Sequence, residues 1–164
     1  MAKSSVKVRD LGFKTVMKEL SALGGIFVVV GVTGDQGDRR EGVDQVLVAS
    51  VHEFGSTDGT IPQRSFIRST IDQRRNDIAD VQQKALRRVA DGKLTAEGAG
   101  GIAGAWVESA IKKKITDGDP GWKKLEASTI VRKGSSKPLI DTGQLRASIT
   151  HKVIKSRTRP KGTI

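Results

Sequence analysis

The residue pair with the most chemical potential is His52-Glu53. A zinc-protease helix carries His-Glu-x-x-His, which sets two imidazoles one turn apart to hold the metal beside a glutamate that activates water. Here the position four residues after His52 is Ser56, and the only other histidine is His151. The chain has no cysteine, which excludes thiolate nucleophiles, disulfides and Cys-based zinc or iron–sulfur centres. His52-Glu53 therefore reads as a hydrogen-bonded pair at the end of an element. Gly98, Gly100 and Ala103 match the G-x-G-x-x-A spacing of dinucleotide-binding turns, but residues 91–97 are polar where that turn needs a strand. Gly31, Gly34 and Gly37 do follow an apolar run, yet no Gly-Lys-Ser/Thr completes a P-loop. No spacing recruits a serine or threonine to either histidine. The expectation is a protein with no catalytic set, no metal and no cofactor.

Charge is the second source of chemistry. The formal net charge is +11, and residues 123–164 supply most of it, with 11 Lys and Arg against 2 Asp and Glu. Lys152, Lys155, Arg157, Arg159 and Lys161 follow one another with no acid between them. Such a run can take phosphate backbones in a salt-dependent, sequence-blind way, or an acidic protein surface. Arg64 and Arg68, one helical turn apart, would place two guanidinium groups on one face, suited to paired carboxylates at a subunit boundary. Aromatic residues are four Phe, two Trp and no Tyr, too few for a base-stacking platform. The longest apolar run, residues 26–30, is far short of the roughly 18 residues that span a bilayer, and no apolar segment follows Met1 as a secretory signal would require.

These residues need elements to position them. Phe13, Val16, Met17 and Leu20 recur at helical spacing and predict a helix over 11–23, stopped by Gly24-Gly25. Residues 26–32 are β-branched and continuous, which predicts a buried strand. The glycine-rich, charged stretch 33–42 reads as a mobile loop. Residues 43–54 fit a helix or a strand, with Gly55 ending either. One long helix is expected over 65–90, then another over 95–116 in which Ile102, Trp106 and Ala110 form one stripe and Val107, Ile111 and Ile115 a second. A short helix within 122–132 ends at Lys133-Gly134, and Asp141 with Gln144 has capping-box spacing for a turn through Leu145. Residues 148–155 alternate as a strand. Two strands so far apart must share a sheet to satisfy their backbones. The fold class is thus α+β: a small mixed or antiparallel sheet on a long central helix, in one domain over 1–155, with a flexible basic tail at 156–164.

Two segments also resemble a known family. The first runs Val51-His52-Glu53-Phe54-Gly55 and, after a short loop, Ile61-Pro62-Gln63-Arg64-Ser65-Phe66-Ile67-Arg68. The second runs Leu125, Ser128-Thr129-Ile130, Arg132-Lys133-Gly134 and then Lys137-Pro138-Leu139-Ile140-Asp141-Thr142-Gly143-Gln144-Leu145-Arg146-Ala147-Ser148-Ile149. In this order they resemble the neck or tail-completion proteins of tailed bacteriophages, the head–tail joining or virion morphogenesis proteins. Relatives often read Arg-Pro-Phe where this chain has Arg64-Ser65-Phe66. The resemblance implies a non-enzymatic virion component, made in the host cytoplasm. It implies a homo-oligomeric ring, hexameric by preference and dodecameric otherwise, set between the portal or head-completion proteins and the tail terminator or tail tube. The genome would pass through the lumen. His52, Glu53, Phe54, Arg64, Arg68 and the five tail cations are the candidate interface residues. Pro62, Pro138, Asp141, Gly143 and Leu145 form a candidate structural corner, with Leu139, Ile140 and Leu145 packed inward. The alternative reading is a small basic nucleic-acid-binding protein, carried by the charge of the C-terminal quarter.

Overall fold

The computed structural model describes residues 9–32, 44–141, 143–156 and 158. The loop expected at 33–42, Thr142, and the tail residues Arg157, Arg159 and Lys161 lie outside the described residues.

The chain opens with α1 (Phe13–Ala22), where Asp10 accepts hydrogen bonds from the amides of Gly12 at 3.0 Å and Lys14 at 3.4 Å. A 3-10 turn through Leu23–Gly25 leads into β1 (Ile26–Val32). Next come α2 (Gln45–Phe54), α3 (Arg68–Gln73), α4 (Arg75–Ala90), α5 (Ala96–Asp117), α6 (Ala127–Lys133) and α7 (Gln144–Ala147), and β2 (Ile149–Lys155) closes the order. The two strands pair antiparallel, from Ile26 opposite Lys155 to Val32 opposite Ile149. The architecture is α+β, with α5 as the long central helix.

A two-stranded ribbon is marginal by itself and needs a partner surface. That surface is α5, about 33 Å long at 1.5 Å per residue. Its glycines explain how close the ribbon comes. A Cβ on Gly104 would sit 2.5 Å from His151 Cδ2 and 2.9 Å from Val28 Cγ1, and one on Gly100 would sit 2.8 Å from Ile26 Cγ2. The glycine spacing that imitates a dinucleotide motif is therefore a packing device inside a helix. His151 then fixes the ribbon to α5, with Nδ1 2.6 Å from Glu108 Oε2, while Lys112 donates to Glu108 Oε1 at 2.5 Å. Burial alone would raise the Glu108 carboxyl, but the bonds from Lys112 and His151 outweigh it and hold the group below its ordinary value.

The stripe that carries the core of α5 is Val107, Ile111 and Ile115, together with the small residues before it. Ile102, expected in the other stripe, is exposed, and Trp106 packs on the core only in part. Around the C-terminal half of α5 gather Phe66, Leu139, Leu145, Ile149 and Ala49. A smaller cluster joins Ala85 and Val89 of α4 to Ala99, with Leu20 and Leu23 packed against it. Glu19 of α1 accepts from the Ala96 amide at 2.8 Å, a favourable place for negative charge at a helix start.

Several expectations need correction. The single helix over 65–90 is two helices, α3 and α4, separated at Arg74, whose φ of −107° and ψ of 17° leave the helical region. Strand β1 is half-buried at every position rather than fully buried, with Ile26 and Val28 lying against Gly100 and Gly104 of α5. Asp141 is not the cap of α7: that helix follows Gly143, which has φ 81° and no side-chain cap. Gln144, expected to reach back in a capping box, instead accepts from Gln45 Nε2 at 3.3 Å. Leu139 and Leu145 are buried as the corner requires, and Ile140 packs on them in part.

Candidate functional site

The two recognisable segments, about sixty residues apart in sequence, line one groove of about 1270 Å³. The first segment contributes His52, Ile61, Pro62 and Arg64; the second contributes Pro138, Leu139, Asp141, Gly143, Gln144 and Leu145. Helix α6 and the stretch before it form the remaining wall with Lys123, Lys124, Arg132 and Lys133.

The groove is built from α2 outward. Asp44 caps that helix by accepting from the Val46 amide at 2.8 Å, and Gly55 ends it with φ 85°. A side chain at Gly55 would also press on the Gln63 amide, 3.3 Å from its Cβ, so the hairpin-like return of 56–63 requires glycine there. Within that return Asp58 accepts from Ser56 Oγ at 2.6 Å and from the Thr60 hydroxyl and amide, which pulls its pKa down to about 2. The last turn of α2 is then locked to the start of α3. Glu53 is 5 % exposed, and its carboxylate accepts from Ser65 Oγ at 2.6 Å, the Phe66 amide at 2.7 Å, the Ile67 amide at 2.9 Å and the Arg68 amide at 3.0 Å. A helix start leaves its first amides without partners, and here a carboxylate from another helix takes three amides at that start.

This corrects the His–Glu expectation. Glu53 turns to α3, while His52 turns to the groove. The His52 carbonyl accepts from the Arg64 amide at 2.7 Å, but its buried Nδ1 has no hydrogen-bond partner among the described residues. Burial, and after it the nearby positive charges of Arg64 and Lys133, hold the imidazole below its ordinary value and favour the neutral form.

Arg64 is the larger surprise. It precedes α3, so it shares no helical face with Arg68, and it is 4 % exposed. Its Nε and Nη2 donate to one acceptor, the Lys123 carbonyl, at 3.4 and 3.2 Å. No carboxylate lies within ion-pair distance of it among the described residues. Buried guanidinium groups are ordinarily paired, so this arrangement is uncommon. Lys133 stands nearby, its ammonium donating to the carbonyls of Lys137 at 3.2 Å and Pro138 at 3.1 Å. Burial depresses its pKa; Asp141 opposes that shift and Arg64 adds to it.

The remaining candidates are elsewhere. Arg68 is exposed, with its guanidinium 5.9 Å from the Phe54 ring centroid, and Phe54 is itself 61 % exposed. Lys152 is exposed on β2. Lys155 has an acid after all, Glu97 at 2.6 Å, although both side chains are well exposed and the pair contributes little. The sequence places Lys124, Arg132 and Lys133 in the family-like corner without marking them, or Gln45, as interface residues. The available signal was the repeated basic pair, Lys123-Lys124 and Arg132-Lys133, at the two ends of the stretch that holds one short helix. No group of three or more metal-ligating side chains occurs among the described residues. No protein family, characterised protein or solved structure matches this chain.

Proposed function

We propose that the chain is a structural subunit of a tailed-phage virion, one copy in a neck ring that joins the head to the tail and completes the tail end. The ring surrounds a lumen through which the genome passes, and six copies is the preferred number. The observation that carries this reading is the convergence of the two family-like segments on a single groove, held by Glu53 and Arg64 from one segment and backed by Leu139 and Leu145 from the other. Residues placed to build one surface give the pair of segments a joint purpose, which matches their joint occurrence. The work of such a subunit is interfacial. Leu47 and Phe54, seven residues apart on α2, are both 61 % exposed and offer apolar area to a neighbour. A head-to-tail contact of that kind closes into a ring when the rotation between subunits closes.

Removing the reading frame from its phage and imaging the particles tests the proposal. Separate filled heads and finished tails are expected. Normal joined, infectious particles overturn it. For the purified chain, sedimentation and negative-stain images should give closed rings. A nucleic-acid-binding protein would instead remain small and bind duplex DNA with steep salt dependence.

A further inference from the structure

We propose that the groove between α2, the 61–64 return, α6 and the 138–145 corner is a docking cleft for an extended acidic segment of a partner protein, with a partner carboxylate received beside Arg64. Taking a guanidinium out of water is costly unless an anion accompanies it. Arg64 is 4 % exposed, and its one acceptor among the described residues is the Lys123 carbonyl. Lys133, on the same wall, is likewise held by carbonyls, with no carboxylate within bonding distance among the described residues. Across the whole lining five cations face two acids, Glu126 and Asp141. Glu126 is 4.0 Å from Lys123, at the limit of pairing. An incoming carboxylate would relieve the repulsion between Arg64 and Lys133. A planar guanidinium is also the cation best matched to it.

Protein is favoured over nucleic acid by the rest of the lining. Ile61, Pro62 and Leu125 supply apolar surface between the cations, backed by the buried Leu139 and Leu145. A phosphate backbone has no use for that surface, and a single-stranded base would need an aromatic ring to stack on, where the groove offers only the imidazole of His52. A peptide that alternates acidic and apolar side chains matches both parts. The volume, about 1270 Å³, exceeds the few hundred to a thousand Å³ of an ordinary small-molecule site. The unpartnered Nδ1 of neutral His52 adds a further polar group at the same wall.

The test uses the full chain and a fluorescein-labelled peptide that alternates glutamate and leucine. Binding is followed by fluorescence anisotropy, and the contact is located through the Arg64 Nε–H and His52 imidazole signals by NMR. The expected result is saturable binding that weakens with salt, shifts at both side chains, and no binding of the matching lysine–leucine peptide. The double variant K124E/R132E alters two exposed cations whose side chains make no hydrogen bond or ion pair among the described residues, so it should melt like the parent while binding the peptide at least about tenfold more weakly. The proposal is overturned if the peptide fails to bind, if K124E/R132E binds it as the parent does, or if a duplex DNA oligonucleotide displaces it and produces the same NMR shifts. Ring formation is measured separately, by sedimentation of the same samples. The cleft and the ring can therefore fail independently.

Discussion

Replacing Glu53 with glutamine should loosen the joint between α2 and α3, and the size of the effect follows from the four bonds that its carboxylate accepts. Glutamine keeps one oxygen. If that oxygen stays with the amides of Phe66 and Ile67, the new NH2 group faces Ser65 Oγ and the Arg68 amide. The Ser65 hydroxyl can rotate and accept, but the Arg68 amide cannot, so one donor is left facing another. A lost hydrogen bond to a charged acceptor costs about 1.5–3 kcal/mol, and the helix start also loses its compensating negative charge, worth about 0.3–1 kcal/mol. The expected total is about 2–4 kcal/mol, a large part of the roughly 5–15 kcal/mol that holds an ordinary domain. For a chain of this size the melting temperature should fall by about 4–16 °C. Glu53→Ala, which abandons every donor, should cost more, and Ser65→Ala, which removes one donor to the carboxylate and the acceptor of the Ser69 amide, about 1.5–3 kcal/mol. Urea unfolding followed by circular dichroism measures this, with unchanged m-values showing that the same structure unfolds. A Glu53→Gln midpoint within about 0.5 kcal/mol of the parent would refute the reasoning, because that is the ordinary scatter of neutral surface changes.

Other expectations come from the same structure. Gly104→Ala forces a methyl group against His151 and Val28 and should destabilise by about 1–3 kcal/mol, while Gly101→Ala, on the same helix with nothing within 4 Å, should stabilise by up to about 1 kcal/mol; paired thermal melts decide it. The depressed pKa of His52 means that the folded state binds its proton later than the unfolded chain does. Its contribution is therefore complete above the ordinary value of 6.5 and is lost as the pH falls through the lower folded value; His52→Gln should flatten that limb in melts across the range. Lys155→Ala should change stability by less than about 1 kcal/mol, since the pair with Glu97 is exposed. Ending the chain after Ile154 removes one ladder pair and the Ser156 bond to Gly25, so circular dichroism should still show the fold; its loss would contradict a ribbon held chiefly by α5.

Much of the local architecture was legible from periodicity and punctuation. Gly55 and Gly134 stand at helix ends, and the Val107–Ile111–Ile115 stripe marks the core face of α5. The strands were equally plain, because an apolar β-branched run and an alternating segment each need a hydrogen-bonding partner. The break at Arg74 was not legible. The isoleucine spacing runs through it, and nothing local reveals that the first turn of the expected helix is diverted to meet Glu53. The capping-box spacing of Asp141 and Gln144 misled for a related reason: local pattern favoured a cap, but Gln144 finds a long-range partner in Gln45.

The candidate site divides in the same way. Sequence alone singled out His52, Glu53, Arg64 and the Pro138–Leu145 corner, since residue types and order are local properties that a chain carries whether folded or not. Their roles were decided by tertiary structure. Neighbours in sequence can face opposite ways at a helix end, so Glu53 became a cap for α3 and His52 a wall of the groove. Two arginines four apart share a face only if one helix contains both; α3 begins at Arg68, and Arg64 is buried against the Lys123 carbonyl. Burial and the low dielectric that accompanies it arise only when distant segments pack together, and they turn an ordinary surface cation into an unpaired buried one.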